Sequence, residues 1–201
     1  MSARVRAGNH SPVPRAPRDL APGPRHLWVN ATGDELYFRD ETDRMDWIRL
    51  LVTLLERRRW TCIAFCQLGT HLHLIVDVPD QSLAVGMKWL NAEYSRDFNA
   101  RHGRNGQFVR CRYGSSRIRD GSDLLRRYLY VVLNAVMAGL CPRPEDWRWS
   151  SYATSIGLSS DFLFVDASLA IAEAGGSTDG LAAAAEARLR ELLSVRVVSG
   201  V

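Results

Sequence analysis

The sequence predicts an α+β fold, a ferredoxin-like antiparallel sheet with helices packed on it. Three observations lead there. Short apolar segments bounded by turn residues alternate with amphipathic stretches in the order strand, helix, strand, strand, helix, strand. The two middle strands, 60–67 and 71–78, are joined by a Gly69-Thr70 turn too short for anything but an antiparallel hairpin. The two helical stretches each carry one apolar stripe, so both must bury a face against the sheet.

The elements follow in order. Residues 1–24 are rich in Pro, Arg, Gly and Ala and lack periodicity, so they read as a disordered basic arm. Residues 25–31 (RHLWVNA) form the first strand, followed by a Gly33-Asp34 turn and a short Leu36-Tyr37-Phe38 segment. Thr42 is the expected N-cap of a helix to about Arg58. Asp43 and Asp46 at its start and Arg57–Arg59 at its end match the macrodipole. Ser82 is the expected cap of the second helix, in which Leu83, Met87, Leu90, Tyr94 and Phe98 recur at helical spacing and which Gly103 closes. Residues 108–118 follow the Asn105-Gly106 turn as one bent strand or two short ones, with helices expected on one face of the sheet.

A further helix runs from about Asp123 to Ala138, with Ser122 as expected cap and Gly139 and Pro142 beyond its end. At about 100° per residue its two tyrosines separate. Tyr128 falls with Leu124, Val131, Val132 and Ala135 on the apolar side; Tyr130 falls with Arg126, Arg127, Asn134 and Met137 on the polar side. Asp146 to Tyr152 reads as an aromatic-anchored segment that packs back on the body. Residues 158–201 turn Ala-rich, with an amphipathic helix over 180–195 that reads as a helical extension without recognisable chemistry. The organisation is therefore an arm (1–24), one domain (25–157) and the extension (158–201).

Charge and cysteine content narrow the function. The net charge is +4, Lys88 is the only lysine, and Arg96, Arg101, Arg104, Arg110, Arg112, Arg117 and Arg119 crowd one stretch that holds a single acid, Asp97. Such a patch fits either a solvated surface or contacts to a nucleic-acid backbone. Cys62, Cys66, Cys111 and Cys141 lie too far apart for a zinc knuckle, so reduced, packed thiols are expected. No apolar run is long enough for a membrane span and the N-terminus has no secretory h-region, so a cytoplasmic protein is expected, nucleoid-associated if the arginine patch meets DNA.

The residues that carry chemistry are His71 and His73. On a strand they share one face while Leu72 and Leu74 share the other. Alone, such a pair is a metal site or two ordinary surface histidines. The polar side of the 123–138 helix supplies the rest of a phosphoryl-transfer site: Asn134 as a third, oxygen ligand for Mg²⁺ or Mn²⁺, and Tyr130 one turn earlier as nucleophile. Arg101, Arg104, Arg110, Arg112, Arg117, Arg126 and Arg127 are the candidate DNA contacts.

Several stretches resemble the HUH single-strand endonucleases, in particular the REP-associated tyrosine transposase branch of the single-tyrosine (IS200-like) transposases. They are His71-Leu72-His73, the segment 98–106 (FNARHGRNG), the helix stretch 130–139 (YVVLNAVMAG) and Trp149-Ser150-Ser151-Tyr152. The resemblance implies a palm-type sheet, Mg²⁺ or Mn²⁺ on His71, His73 and Asn134, and Tyr130 as nucleophile. It implies cleavage and rejoining of single-stranded DNA at palindromic-repeat hairpins through a 5′-phosphotyrosine, in a monomer or a homodimer. Where the family usually has Pro-Asn this chain has Gly69-Thr70, and where it usually has Asn-Pro-Val-Arg this chain has Asn134-Ala135-Val136-Met137. The alternatives are a non-catalytic, domesticated hairpin-binding protein of the same fold and, further off, an RNA-binding module, for which the strands lack the RNP aromatic pattern.

Overall fold

A computed structural model describes residues 21–32, 35–109 and 113–199. Its elements are β1 (Gly23–Asn30), α1 (Glu41–Arg58), β2 (Thr61–Gln67), β3 (His71–Val78), α2 (Leu83–Arg101), β4 (Gly114–Arg117), α3 (Gly121–Met137), a 3₁₀ turn (Pro144–Asp146), α4 (Tyr152–Ser155), α5 (Ser168–Glu173) and α6 (Thr178–Ser199). The sheet order is β2-β3-β1-β4, and every pairing is antiparallel. This is the ferredoxin-like topology expected from the order of the elements. No helix among the described residues is long and apolar enough to cross a membrane.

The expected placement of helices on one face is corrected. One core packs Leu27, Val29, Leu72, Leu74 and Val76 of the sheet against Trp47, Leu51 and Leu54 of α1 and Met87, Leu90 and Tyr94 of α2. A second core, on the opposite face, packs Ile63, Ala64, Cys66 and Ile75 under Tyr128, Val131, Val132 and Ala135 of α3, with Ala170 of α5 and Leu181 of α6 behind them. The reason is written in β2 and β3. Both are almost continuously buried rather than alternately so, and a strand apolar on both faces needs cover on both. A register shift between Cys62 and Ala64 turns Ile63 and Ala64 to the same core.

Element ends shift by a few residues, and two caps change. Asp40, in extended conformation, caps α1 by accepting from Asp43 N at 3.0 Å, where Thr42 was expected. Asp120 caps α3 by accepting from Asp123 N at 2.8 Å; Ser122 lies in the first turn and donates its hydroxyl to the Asp120 carboxylate. In both cases a carboxylate just upstream outcompetes a hydroxyl, because an anion also answers the positive helix end. Ser82 stands at the start of α2 without capping it; its Oγ accepts from Trp60 Nε1 instead. The 36–38 segment is irregular, with Tyr37 and Phe38 buried. The 108–118 stretch shows a bridge at Val109 and the short β4; of the arm expected over residues 1–24, residues 1–20 lie outside the described residues, and Gly23 and Pro24 belong instead to β1, paired with Val78 and Asp77.

The segment around Trp149 does pack back, on the outer edge of β2. Gln67 N donates to Trp149 O, and Phe65 and Ser151 exchange backbone and hydroxyl bonds of 3.0 Å. That closes one open edge of the sheet. Cys62 and Cys66 are free and buried, Cys141 is free and half-buried, and burial pushes the Cys66 thiol up to about 12, so these are inert packed thiols.

Because Leu72 lies between the two histidines on the opposite, fully buried face, Leu72→Ala should lower unfolding free energy by about 2–5 kcal/mol. Urea denaturation followed by far-UV circular dichroism measures it.

Candidate active site

The β1–β3 register sets Trp28 opposite His73 and Asn30 opposite His71. With side chains alternating, His26, Trp28, Asn30, His71 and His73 all stand on the α3 face of the sheet. The apolar side of α3 lies over β2 and the neighbouring Ile75, and its polar side overhangs the imidazoles. Between them opens a cavity of about 870 Å³ lined by those five residues, by Arg126, Arg127, Tyr130, Leu133, Asn134 and Met137 of α3 with Ala138 just past its end, and by Arg188 and Leu192 of α6.

The tyrosines divide as the helical wheel predicts. Tyr128 is fully buried in the core, and burial raises its phenol well above the usual range. Tyr130 is 54% exposed. Its ring meets the edge of His73 at 5.2 Å between centroids and that of His26 at 5.7 Å. A solvent-reachable phenol thus stands against an imidazole from a strand some distance away in the chain.

The imidazoles are held neutral. Burial, then the neighbouring His26 and His71, lowers His73 to about 3; burial, then Arg127, lowers His26 to about 4; burial lowers His71 as well. A neutral imidazole has a lone pair to offer. His73 Nδ1 is 3.0 Å from His26 Nε2, and His71 Nδ1 is 3.0 Å from Thr70 Oγ1. Both Nε2 atoms are left without a hydrogen-bond partner among the described residues. Thr70 therefore holds the His71 imidazole, and the Gly69 carbonyl accepts from Tyr37 N and Phe38 N.

No group of three His, Cys, Asp or Glu side chains among the described residues is placed to hold a metal ion. The donor set that fits one is mixed: two imidazole nitrogens, with the Asn134 side chain on the same cavity wall and open volume for water and phosphate oxygens. Such a set suits an oxygen-preferring cation that keeps several waters.

The candidate DNA arginines fall into separate groups. Arg126 and Arg127 line the cavity, both tied to the buried Asp123 carboxylate at 2.5 and 2.9 Å. Arg117 is exposed on edge strand β4 and does not line it. Arg101 and Arg104 lie at and just past the end of α2. Arg101 pairs with Asp40 and Asp43, and Arg104 pairs with Glu35 at 2.5 Å and stacks over Phe108. Arg110 and Arg112 lie outside the described residues. Sequence reasoning missed His26, Trp28, Asn30 and Arg188. The first three could have been found by alternation once β1 was paired with β3. Arg188 had no sequence signal, because the extension was read as carrying no chemistry.

The structure thus defines an α+β protein with a ferredoxin-like sheet, on whose α3-covered face a histidine pair and a tyrosine meet in a basic cleft. Among solved structures it is similar to the REP-associated tyrosine transposase bound to a REP hairpin, with a TM-score of 0.60 and 19% identity over 73% of this chain and 88% of that one. That likeness shows a common fold, the fold expected from the histidine and tyrosine motifs. No protein-family model and no curated protein matches the chain.

The depressed imidazoles have a consequence for stability. Unfolded, His26 and His73 take up protons near pH 6.5; folded, near 4 and 3. Between those limits the unfolded chain binds more protons, so stability is whole above about pH 6.5 and is lost as pH falls toward 4. Urea midpoints measured across pH 4–7 should show this slope, and His73→Leu should flatten it.

Proposed function

We propose that the protein is a metal-dependent single-stranded DNA endonuclease and strand transferase acting at hairpin-associated sites, with Tyr130 as nucleophile. The observation that carries this reading is the edge contact of the exposed Tyr130 ring with His73 at 5.2 Å, made within one chain. In this reading each protomer brings its own tyrosine to its own histidine pair. The similar transposase was solved with a REP hairpin, which supports hairpin DNA as the substrate class.

The residues divide the work. His71, His73 and Asn134 would hold Mg²⁺ or Mn²⁺, which when bound polarises the scissile phosphate and offsets its charge. Arg126, Arg127 and Arg188 bind phosphate oxygens along the cleft. Leu133, Met137 and Leu192 give it apolar walls. Tyr130 Oη attacks phosphorus, loses its proton to solvent, and forms a P–O bond as the bond to the 3′ oxygen breaks. The 3′ oxygen takes a proton and leaves as a hydroxyl, while the 5′ phosphate stays on the tyrosine. A 3′ hydroxyl attacking that phosphotyrosine reverses the step and joins strands without a nucleotide cofactor.

Incubation with labelled single-stranded hairpin DNA and Mn²⁺, followed by a denaturing gel, tests the reading. Wild type should form a covalent adduct, Tyr130→Phe none, and Tyr128→Phe should keep it. His71→Ala should cut adduct formation by about a hundredfold or more. An adduct that survives Tyr130→Phe refutes the nucleophile, and tight hairpin binding without cleavage by wild type marks a non-catalytic binder.

The arginines are tested separately by equilibrium binding of the same hairpin at several salt concentrations. Arg126→Ala and Arg188→Ala should each weaken binding and reduce the slope of log K against log salt by about 1. Arg104→Ala, whose side chain does not line the cleft and is bound to Glu35 and Asn99, should leave that slope unchanged.

A further inference from the structure

The imidazole of His26 takes no part in the function proposed so far, yet it is the polar partner of a residue that does. We propose that His26 is a positioning residue: its Nε2 accepts the Nδ1–H of His73 and so fixes the tautomer whose Nε2 lone pair is free to bind a cation. The inference rests on the reading of His71 and His73 as ligands.

The argument begins with one hydrogen. The two ring nitrogens are 3.0 Å apart, and two N–H groups cannot face each other at that distance. One hydrogen lies between them, and it belongs to one ring or the other. If His73 carries it, His73 Nε2 is unprotonated and His26 has its hydrogen on Nδ1. If His26 carries it, His73 must be protonated on Nε2 and has nothing to donate to a metal. The ligand role and the direction of this bond are therefore one question. A free neutral imidazole favours the Nε2–H form, so an acceptor at Nδ1 is what reverses the preference. Ligating histidines commonly have such a partner, usually a carboxylate, carbonyl or water.

Three features make His26 a fixed acceptor rather than a passing contact. It is 5% exposed on central strand β1, two residue pairs along from His73 in the register and so on the same face. Its ring is bounded by Trp28 at 5.5 Å and Tyr130 at 5.7 Å. The same arrangement recurs on the other ligand, where Thr70 Oγ1 meets His71 Nδ1 at 3.0 Å. Both Nδ1 atoms are thus engaged by protein and both Nε2 atoms are left over.

Imidazole nitrogen-15 shifts of the metal-free protein report which nitrogen of His73 is protonated, and an EPR titration of free Mn²⁺ reports affinity. Wild type should show His73 protonated on Nδ1. His26→Leu should move that proton to Nε2 and weaken Mn²⁺ binding by about 10–100-fold. His26→Gln, whose amide oxygen can accept near the position of Nε2, should keep the tautomer and stay within a few-fold of wild-type affinity. The proposal is overturned if wild-type His73 is protonated on Nε2, if His26→Leu changes neither readout, or if His26→Gln loses Mn²⁺ with the His73 tautomer intact, which would make His26 a ligand itself. Should His26→Leu fail to fold, wild type and His26→Gln decide the matter on the same criteria. A wild type with the Nδ1–H tautomer that binds no Mn²⁺ would refute the cation reading and leave the assignment of His26 standing.

Discussion

The site depends on the pairing of β1 with β3. That register sets Leu27 against Leu74 and Val29 against Leu72 on one face, and Trp28 against His73 and Asn30 against His71 on the other. The four apolar residues are buried to within 1% exposure. Each contributes on the order of 1.5–3 kcal/mol on burial, well above a typical net hydrogen bond of about 1 kcal/mol. The hydrophobic effect on one face thus positions polar chemistry on the other. A slip by one residue would bury His73 among Leu51, Leu54 and Leu90 and turn the leucines into the cleft, so the register tolerates no alternative.

Helix α3 solves the complementary problem. It must cover the second apolar face of β2 and β3 while presenting polar groups to the imidazoles. Its apolar side does the first with Val131, Val132 and Ala135, and its polar side does the second with Tyr130 and Asn134. The division between Tyr128 and Tyr130 is a matter of two residues and about 200° of rotation. Asp123 sits at the start of the same helix, 4% exposed, and holds Arg126 and Arg127. The cations are thereby anchored at the mouth of the cleft, while the imidazoles inside remain neutral.

The Arg-rich stretch from 96 to 119 shows how a local signal divides in space. Arg101 ties α2 to Asp40 and Asp43 at the start of α1, and Arg104 ties the end of α2 to Glu35. These guanidiniums tie together the helix layer on the face of the sheet opposite the imidazoles. The cations that line the cleft come instead from α3 and from α6, which sequence reading treated as an extension. Composition counts charges; it does not say which acid each one meets.

What the sequence determined by itself was whatever depends on short-range periodicity. The strand period put His71 and His73 on one face, the helix period put Tyr130 beside Asn134 and away from Tyr128, and the order of elements implied the sheet topology. The tertiary structure alone decided what depends on pairing between distant segments. It placed helices on both faces of the sheet, set Asp40 and Asp120 rather than Thr42 and Ser122 at the helix starts, and brought Arg188 to the cleft. It also set His26 Nε2 3.0 Å from His73 Nδ1. The physical reason is that a local pattern specifies which face a side chain takes, whereas its partner is specified by which strands and helices the burial of apolar surface brings together.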